Sequence, residues 1–542
     1  MKKFKDPIYG YIKIEEGIVK DIVDTPEFQR LRYIRQTSYL PVYPAALHNR
    51  FVHSLGVYFL GCRALEAINL SIKKYNIDID ESIKNRMGHV FTLACLLHDV
   101  GHAPFSHSGE YFYLSEDNDL DTTLIRVVKD EIFEKEVTDY HKTKRSAAPH
   151  EIMSAIVGLE RFSEYFENNE EKSLFARCIT GYKYSNKSND SNLSYYNILI
   201  SLLNSSTIDV DRLDYLIRDA FVMGYNSISI DYKRLIDSVM ISEDSEGHLN
   251  LAYNKSALSI IENVIYAHDS EKKWIQNHPV IIYEIFLVQQ IIKNVADFYK
   301  QKTEKELFSF ESLLPSESDN SISLNNVIFP SVSLLCDDDI IYLAKNLNNP
   351  FCQELFNRNR RRHPIWKSES EYKVIVDDYV GKEGYNQLST QMDILDKFLK
   401  NESPSHLIDE VSMKFCQNEL DECKNSDLNE RDKKDMLHRY SLLLSWLECF
   451  EKISKQQNIP FDFVLVQATN FSSSFAKNDL REIQVYFPSH NCAYKLDELI
   501  ELFSFKKITR EKFFYVYYRN VKEVSLDIKS IGKEIAKNVL NL

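Results

Sequence analysis

Residues 94–107 read ACLLHDVGHAPFSH, an apolar run that ends abruptly in polar side chains. The apolar part predicts a core-facing helix, with Gly101 as its terminator. Four residues that can bind a metal follow within ten positions: His98, Asp99, His102 and His107. An imidazole beside a carboxylate is a mixed nitrogen and oxygen donor set that suits divalent metals. Adjacent residues do not complete a coordination shell, so other segments must supply further ligands.

Glycine and proline are scarce, at 14 residues each in a chain of 542, which favours long helices over turn-rich β structure. Helical periodicity predicts helices over 51–73, 86–100, 149–166, 196–223, 230–242 and 257–300. Three later runs have strand character: FDFVLVQAT, REIQVYF and KFFYVYYR. We therefore predict a mainly α fold, with an all-helical catalytic core and a smaller C-terminal α+β lobe.

The polar stretch SLLPSESDNSISLNN, residues 312–326, reads as a linker because such a composition buries too little apolar surface to order itself. The predicted domains follow from it. We expect a catalytic core over 1–310, a helical extension over 311–440 and the α+β lobe over 441–542.

The formal net charge of −14 disfavours binding of duplex nucleic acid. A basic run, NRNRRRHPIWK (357–367), leaves binding of single strands open. Nine cysteines without a CxxC pair are typical of a reducing compartment. No apolar stretch reaches the roughly 18 residues of a membrane-spanning helix, and no signal peptide follows MKKFKDPIYG. We expect a soluble cytoplasmic protein.

Two residues elsewhere in the chain fit the missing ligand positions. His53 lies in HNRFVHSLGV and Asp211 lies in TIDVDRLDYLIRD. With His98 and Asp99 they form the order H…HD…D, which offers two imidazoles and two carboxylates. A single helical histidine is more often a hydrogen-bonded core or surface group than a ligand, so the prediction depends on the complete set in this order.

Seven blocks of the sequence resemble the HD-domain phosphohydrolases, and more narrowly the deoxynucleoside triphosphate (dNTP) triphosphohydrolases that include the SAM-and-HD-domain enzymes. The blocks are DPIYGYIKI, IVDTPEFQRLRYIRQ, HNRFVHSLGV, LLHDVGHAPFSH, PHEIMSAIV, IDVDRLDYLIRDAFVMG and IDYKRLI. The resemblance implies a nucleotide hydrolase without the SAM domain, which cleaves dNTPs to deoxynucleoside and triphosphate. It also implies metal binding by His53, His98, Asp99 and Asp211. Mn²⁺, Mg²⁺, Fe and Ni²⁺ all suit that ligand set.

The resemblance also implies catalytic roles for three more histidines. His102 would contact phosphate, and His107 and His150 would lie at the reacting phosphorus. A histidine is the natural proton shuttle near neutral pH. Glu110 stands in the place of a family aspartate and would orient His150, unless it is simply a solvated helix residue.

Substrate contacts follow from the same motifs. Arg50 and Arg212 can each form two hydrogen bonds to phosphate oxygens, and the family commonly has lysine at the Arg212 position. By resemblance, Gln36 and Asp219 contact the sugar 3′-hydroxyl. Tyr215 matches a tyrosine beside the phosphate and sugar, with core packing as the alternative.

One stretch departs from the family pattern. The family carries an arginine, a histidine and a tyrosine at helical spacing, and the tyrosine helps to reject a 2′-hydroxyl. Here AHDSEKKWIQNHPVIIYE (267–284) places His268, Lys272 and Gln276 there, or Trp274 after a small shift. Other functions therefore stay open: an HD phosphohydrolase acting on a ribonucleoside triphosphate, an alarmone or a cyclic dinucleotide, a nucleotide-binding regulator, or a single-strand nuclease.

The resemblance finally implies regulation by nucleotides bound between the subunits of a homo-oligomer, either a tetramer or a dimer. The matching positions are Asp24, Gln29, Arg32, Asp231, Arg234 and Lys367. The alternative is that FQRLRYIR is only an amphipathic helix with a charged solvent face. Lys5 stands where the family's allosteric asparagine would be, so a different effector is possible.

Overall fold

A computed structural model describes residues 1–113, 119–143, 147–185, 191–244, 247–315, 321–324, 327–330, 333–426, 429–469, 482–490, 492–499, 512–520 and 524–541. The fold is mainly α with a smaller β content, which confirms the predicted class. The linker predicted over 312–326 lies partly outside the described residues. Its described part includes a short strand, Ser321–Leu324, that pairs antiparallel with Val327–Pro330.

Helices make up most of the chain. In chain order they are α1 (Glu16–Ile18), α2 (Pro26–Gln29), α3 (Arg50–Tyr75), α4 (Glu81–Leu97), α5 (Leu120–Val128), α6 (Glu131–Thr143), α7 (Pro149–Arg161), α8 (Asn169–Thr180), α9 (Ser191–Leu203), α10 (Val210–Met223), α11 (Tyr232–Asp237), α12 (Leu258–Glu271), α13 (Pro279–Thr303), α14 (Asp337–Lys345), α15 (Pro350–Phe356), α16 (Glu369–Tyr379), α17 (Gly381–Asn401), α18 (Glu410–Asn425), α19 (Glu430–Gln457), α20 (Leu496–Leu499) and α21 (Ile528–Asn541). Short 3₁₀ turns lie at Arg30–Tyr33, Ser106–Ser108, Glu110–Tyr113, Ser163–Tyr165, Lys255–Ala257, Glu311–Leu313 and Arg358–Arg360, and π-helical turns at Val19–Val23 and Lys272–Gln276.

The strands form small sheets. They are β1 (Lys2–Asp6), β2 (Gly10–Ile14), β3 (Val239–Glu243), β4 (Leu249–Asn254), β5 (Ser321–Leu324), β6 (Val327–Pro330), β7 (Arg362–Pro364), β8 (Ile408–Asp409), β9 (Asp462–Thr469), β10 (Gln484–Phe487), β11 (Cys492–Lys495) and β12 (Lys512–Arg519). Two sheets have four strands, in the orders β11-β10-β4-β3 and β7-β12-β9-β8. The three strands predicted near the end are all present, but β10 pairs with β4 and not with β9 or β12.

The chain divides into two compact units, neither of which is continuous in sequence. The first comprises Met1–Glu271, Val288–Leu347 and Ser473–Lys506, and the second comprises Lys272–Leu287, Asn348–Ser472 and Lys507–Leu542. The first contains α3, α4, α7, α8 and α10. The domain boundaries predicted at 310 and 440 stay predictions.

Three of the predicted helices are interrupted. The helix predicted over 257–300 is α12, a π-helical turn and α13, with a break before Pro279. The helix predicted over 196–223 is two helices, because the Asp209 side chain accepts a hydrogen bond from the Arg212 N–H and so starts α10 anew. The helix predicted over 230–242 ends at Asp237 and continues as β3. Residues 239–241 are consecutively buried, and periodicity alone does not distinguish such a short apolar run from a helix.

The turn after α4 lies directly against α7. The Gly101 N–H donates a hydrogen bond to Ser154 Oγ at 3.0 Å. A Cβ at position 101 would lie 2.4 Å from the Met153 carbonyl carbon and from the Ser154 nitrogen. Gly101 was predicted to terminate the helix, but α4 ends earlier, at Leu97. Glycine is required at 101 because the two backbones approach too closely for a side chain.

Two helices, Arg50–Tyr75 and Pro279–Thr303, have the length and apolar composition of a membrane-spanning segment. About half of each apolar window, 56% and 50%, is buried inside the protein. A core helix of a soluble protein meets the same criterion, so these helices are weak evidence for a membrane protein.

Candidate active site

Side chains from three helical segments converge where α4 ends. His53 lies in α3, His98 directly follows α4, and Asp211 lies in the first turn of α10. His53 Nε2 lies 2.9 Å from Asp211 Oδ1 and 3.3 Å from His98 Nε2. One ligand atom of each residue lies within 4.8 Å of the others. The structure therefore brings together three of the four residues predicted to bind a metal.

The two imidazoles are oriented by their other ring nitrogens. His53 Nδ1 lies 2.7 Å from Asp214 Oδ2, and His98 Nδ1 lies 3.0 Å from the Cys95 carbonyl oxygen. Both acceptors favour a proton on Nδ1, so in the neutral imidazoles the lone pairs lie on the two Nε2 atoms, which are 3.3 Å apart. A cation between them would satisfy both lone pairs, and carboxylate or carbonyl partners on the far nitrogen are usual for metal-binding histidines. The donor set therefore fits a divalent cation.

Asp99, the fourth predicted ligand, lies at the edge of this group. Its Oδ1 lies 3.5 Å from His98 Nε2, and its Oδ2 lies 3.7 Å from His53 Nε2. Arg50 Nη1 donates a hydrogen bond to the same Oδ2 at 2.8 Å. Burial alone would raise the pKa of Asp99, but Arg50 and the histidines hold it at about 2. The carboxylate is therefore ionised at neutral pH, as a ligand must be.

A second group, formed by His102, His107, Glu110 and His150, lies beside the first. Glu110 Oε1 accepts a hydrogen bond from His107 Nδ1 at 2.5 Å and lies 3.0 Å from His150 Nδ1. The rings of His102 and His150 stack with their centroids 4.3 Å apart. His102 Nε2 lies 3.6 Å from Asp99 Oδ1, which places the two groups next to each other. All four residues predicted as catalytic are thus in one cluster.

The environment separates the protonation states within this cluster. Burial, together with the nearby charge of Arg50, lowers the pKa of His102 well below its usual value. Burial would also lower the pKa of His150, but Glu110 raises it above its usual value. Burial would raise the pKa of Glu110, yet its two histidine partners hold it well below its usual range. A neutral His102 beside a readily protonated His150 is an arrangement suited to acid–base chemistry.

Gln36 and Asp219, the predicted sugar contacts, are joined by a residue that the sequence did not single out. His48 Nε2 lies 2.6 Å from Asp219 Oδ1, and the His48 carbonyl oxygen accepts a hydrogen bond from the Gln36 N–H at 3.1 Å. All three residues are buried. Among the described residues, Gln36 Oε1 and His48 Nδ1 have no hydrogen-bond partner. Free polar atoms of this kind are available to a polar ligand.

Arg212 and Tyr215 follow Asp211 on α10. The Arg212 N–H donates to Asp209 Oδ1 at 2.7 Å, and its Nη1 lies 3.8 Å from Asp209 Oδ2. Burial raises the pKa of Asp209 to about 6, although Arg212 opposes the rise. Burial raises the pKa of Tyr215 well above its usual value, again against the effect of Arg212. Tyr215 is therefore a neutral hydroxyl at physiological pH, and its contact with the substrate stays a prediction.

The stretch that departs from the family pattern crosses a change of helix type. His268 lies in α12, and Lys272, Trp274 and Gln276 lie in the π-helical turn that follows. Trp274 is 58% exposed, and Lys273 Nζ lies 4.5 Å from its ring centroid. His268, Lys272 and Gln276 are spaced four residues apart, which places side chains on one face of a regular α-helix. The π-helical turn has more residues per turn, so Lys272 and Gln276 do not keep that spacing around the axis.

The predicted effector residues near the start of the chain already have local partners. Lys2 Nζ forms an ion pair with Asp24 Oδ2 at 3.2 Å. The Gln29 side chain donates to the Val23 carbonyl at 2.7 Å, while its Oε1 accepts from Arg32 Nε at 2.7 Å. Lys5 Nζ lies 4.4 Å from the centroid of the Tyr11 ring. Asp24 and Arg32 are exposed.

The remaining predicted effector residues lie farther along the chain. The Asp231 side chain accepts a hydrogen bond from the Arg234 N–H and so caps α11. Arg234 Nη2 donates to the Ser256 carbonyl at 2.5 Å. Lys367 is exposed and belongs to the second unit, whereas the other residues predicted to bind an effector belong to the first.

Asp214 is a second residue of the candidate site that the sequence analysis did not single out. Besides holding His53 Nδ1, it accepts hydrogen bonds from Tyr9 OH at 2.7 Å and from Arg218 Nε at 2.9 Å. Arg218 Nη1 in turn donates to Asp6 Oδ2 at 2.9 Å. A signal was present, because Asp214 lies one helical turn after Asp211 in DVDRLDY.

The basic run at 357–367, which left single-strand binding open, is partly occupied by internal ion pairs. Arg361 Nη1 pairs with Glu284 at 2.7 Å, and Arg362 Nη1 pairs with Glu354 at 2.6 Å. Both arginines are buried. Two of the five arginines and lysines in the run are therefore internal, whereas Arg358, Arg360 and Lys367 are exposed.

Comparison with protein families gives a match for residues 50–180, which fit the model of the HD domain. This segment contains His53, His98 and Asp99 and the whole second group. It ends before Asp211, so the last predicted ligand lies outside the match.

Curated relatives match about half of the chain. An uncharacterized protein of Mycoplasma genitalium is 28% identical over 61% of this chain and 68% of its own length. The deoxynucleoside triphosphate triphosphohydrolase SAMHD1 of Bos taurus is 34% identical over 46% of this chain and 40% of its own. The SAMHD1 of Gallus gallus is 31% identical over 45% of this chain and 37% of its own length. The alignments thus span from about a third to two thirds of these relatives.

A solved structure supports the fold over nearly the full length. The crystal structure of a hypothetical protein from Aquifex aeolicus matches 98% of this chain and 99% of its own, with a TM-score of 0.53 and 17% identity. Residues 50–180 thus match the HD domain, and over about half of its length the chain is similar to proteins named deoxynucleoside triphosphate triphosphohydrolase.

Proposed function

We propose that the protein is a metal-dependent dNTP triphosphohydrolase, which cleaves a dNTP to deoxynucleoside and inorganic triphosphate. One observation carries the proposal: the metal-type group of His53, His98 and Asp211 lies beside the group of histidines centred on Glu110. Asp99 connects the two, since it contacts His98 on one side and His102 on the other. Hydrolysis of a phosphate ester is assisted by a Lewis acid on the phosphoryl group and by a proton donor for the leaving oxygen.

The chain's own residues would divide the work. His53, His98, Asp99 and Asp211 would hold a divalent cation, which would lower the pKa of a water molecule and neutralise phosphate charge. Arg50, with one guanidinium nitrogen on Asp99, is placed to neutralise a phosphate oxygen next to these ligands.

The bond changes would take place at the α-phosphorus. A water oxygen bonds to that phosphorus as the bond to the 5′-oxygen breaks. The leaving 5′-oxygen takes a proton from His107 or His150, which Glu110 holds, and the proton that the water loses restores that histidine. The products are then triphosphate and an unmodified nucleoside.

The buried trio of Gln36, His48 and Asp219 supports recognition of the sugar. An amide oxygen, an imidazole nitrogen and a carboxylate offer acceptors and donors for a ribose hydroxyl. Preference for deoxyribose over ribose is part of the proposal, and it draws on the relatives named as dNTP triphosphohydrolases.

Regulation by a nucleotide is a further part of the proposal. Deoxynucleotides bound between subunits would favour an active homo-oligomer, one nucleotide at Asp24, Gln29 and Arg32 and a second at Asp231 and Arg234, with Lys367 at the same interface. Such coupling requires that the effector bind the assembled state more tightly than the free subunit.

The test is a panel of the four dNTPs and four ribonucleotides with Mn²⁺ or Mg²⁺, run in ¹⁸O-labelled water and resolved by chromatography. We expect triphosphate that carries the label and an unlabelled deoxynucleoside. Orthophosphate or pyrophosphate as the first product, or label in the nucleoside, would refute attack at the α-phosphorus. Hydrolysis of ribonucleotides, alarmones or cyclic dinucleotides alone would favour the alternative substrates.

The metal requirement is tested with the double variant His98→Ala, Asp99→Ala. We expect loss of hydrolysis and of bound metal with an unchanged circular dichroism spectrum. His89→Ala is the matched control, since His89 lies on the same helix, α4, but outside both groups. Unchanged metal content in the double variant would contradict the assignment.

A further inference from the structure

The loop that carries His102 and His107 contains two residues in an uncommon conformation. Phe105 and Ser106 have φ angles of +58° and +54°, in the left-handed region that residues other than glycine rarely adopt. Such conformations persist only where surrounding contacts fix them. The contacts that fix this loop therefore bear on the geometry of the two histidines.

Asp337, the first residue of α14, makes two of these contacts with one carboxylate. Its Oδ1 accepts a hydrogen bond from the Phe105 N–H at 2.6 Å, and its Oδ2 accepts one from the Arg35 N–H at 3.1 Å. The residue is 2% exposed. Asp337 thus ties the histidine loop to the backbone next to Gln36, at the proposed sugar contact.

Ser106 extends this connection to the metal-type group. Its hydroxyl donates to the Arg35 carbonyl at 2.5 Å and accepts from Arg50 Nε at 2.9 Å. Arg50 Nη1 then contacts Asp99 at 2.8 Å. A continuous series of contacts therefore runs from Asp337 through the loop to the predicted metal ligands.

Arg30 fixes the same loop from a second direction. Its Nη2 donates to the His102 carbonyl at 2.6 Å, and its Nε donates to the Leu335 carbonyl at 2.6 Å. Leu335 lies two residues before Asp337. The segment 335–337 therefore holds the loop at Phe105 through Asp337 and at His102 through Arg30. Neither Arg30 nor this segment lies within the HD-domain match at 50–180.

We propose that Asp337 is a positioning residue of the active site, whose two acceptor oxygens hold the histidine loop and the Gln36 segment in one arrangement on which turnover depends. This inference rests on the proposed function for its rate measurement, although not for its structural one. Asparagine would not replace the carboxylate, because its amide nitrogen would face one of the two N–H donors.

The charge state of Asp337 agrees with this role. Burial raises its pKa to about 6, although the Phe105 and Arg35 N–H groups and the nearby Arg35 and Arg30 charges oppose the rise. The carboxylate is therefore ionised at neutral pH in spite of its burial. A residue needed only for packing would not have to carry a charge there.

The experiment compares Asp337→Asn with Asp338→Asn, a matched control that removes the exposed neighbouring charge from the same helix. Four quantities are measured: kcat, KM, metal content and amide hydrogen exchange of a peptide spanning residues 103–109. For Asp337→Asn we expect kcat to fall at least about tenfold, with KM changing by less than about threefold. We also expect faster exchange at Phe105, with metal content and melting temperature close to wild type.

Three outcomes would overturn the inference: kcat equal to that of the control, unchanged exchange at Phe105, or joint loss of metal, melting temperature and activity. The last would indicate a merely structural role. If Asp337→Asn does not fold, Asp337→Glu keeps the charge but displaces the two acceptor oxygens from the Phe105 and Arg35 N–H groups, and it must lower kcat and speed exchange at Phe105 in the same way. If the wild type hydrolyses no nucleotide, the proposed function fails, whereas the exchange of Phe105 still decides whether Asp337 holds the loop.

Discussion

Asp214 Oδ2 lies 2.7 Å from Nδ1 of His53, and this contact fixes the tautomer that directs Nε2 of His53 toward His98. We expect Asp214→Asn to weaken divalent metal binding by about 10- to 100-fold, as is usual for the outer partner of a ligating histidine. Equilibrium dialysis with Mn²⁺ measures the affinity. Asp237→Asn, which removes an exposed carboxylate, should bind metal as the wild type does. Equal affinities in the two variants would contradict the orienting role.

Gly56 leaves room for the same carboxylate. A Cβ at position 56 would lie 2.0 Å from Asp214 Oδ1 and 2.5 Å from Arg218 Nη2. We expect Gly56→Ala to lower the free energy of unfolding by about 1–3 kcal/mol, the range of overpacked cores, and to lower metal affinity as well. In Gly88→Ala the new Cβ meets only the flexible end of Leu65, at 3.1 Å. Urea denaturation of both variants checks the contrast, and equal stability would argue against the steric explanation.

Glu110 raises the pKa of His150, against the effect of burial. If protonated His150 supplies the proton, activity is present below that pKa and is lost as the pH rises through it. Glu110→Gln removes the cause of the elevation, so the alkaline limb of the kcat/KM profile should move to lower pH. Activity at neutral pH should fall by up to about 100-fold. Glu160→Gln, exposed on the same helix as His150, should leave the profile unchanged, and an unshifted limb in Glu110→Gln would count against the pairing.

Asp337 should make stability depend on pH. Its pKa is raised from 3.8 to about 6, so the folded state binds more protons than the unfolded state between those values. Its contribution is therefore fully present below pH 3.8 and is lost as the pH rises through 6. Between pH 4 and pH 7 the free energy of unfolding of Asp337→Asn should rise by about 2 kcal/mol relative to that of the wild type, at about 1.4 kcal/mol for each pKa unit. Denaturation of both proteins at pH 4 and pH 7 measures the difference. An equal change of stability with pH in the two proteins would falsify the burial effect.

Arg32 is exposed, and its guanidinium lies 3.5 Å from the centroid of the Phe51 ring. If the proposed effector binds there, Arg32→Ala should lose most of a nucleotide activation, for which about 5- to 150-fold is typical, and retain metal binding. Sedimentation with each deoxynucleotide, alongside a rate assay, gives mass and activity together. Arg63→Ala is the control, since Arg63 is also exposed but pairs with Glu66 and Asp237. A wild-type mass that no nucleotide changes would remove the basis for regulation.

The sequence alone indicated the class of fold and the metal-type residues, and the family resemblance implied the members of the second group. Few glycines and prolines and a helical period predicted a mainly α chain, and H…HD…D predicted His53, His98 and Asp211, which the structure brings together. Helical segments can be predicted from sequence because a helix repeats every 3.6 residues, and metal-binding residues because few residue types bind metals. Asp214 was within reach of the same reasoning, as a third aspartate one turn after Asp211.

Only the tertiary structure decided the contacts between distant segments. Nothing local to Asp337 indicates that it holds Phe105, which is 232 positions away, or that His48 contacts Asp219, 171 positions away. The strand pattern also does not indicate that β10 pairs with β4 in parallel. Periodicity reports which face of a segment is buried, whereas the partner on that face depends on how the whole chain packs.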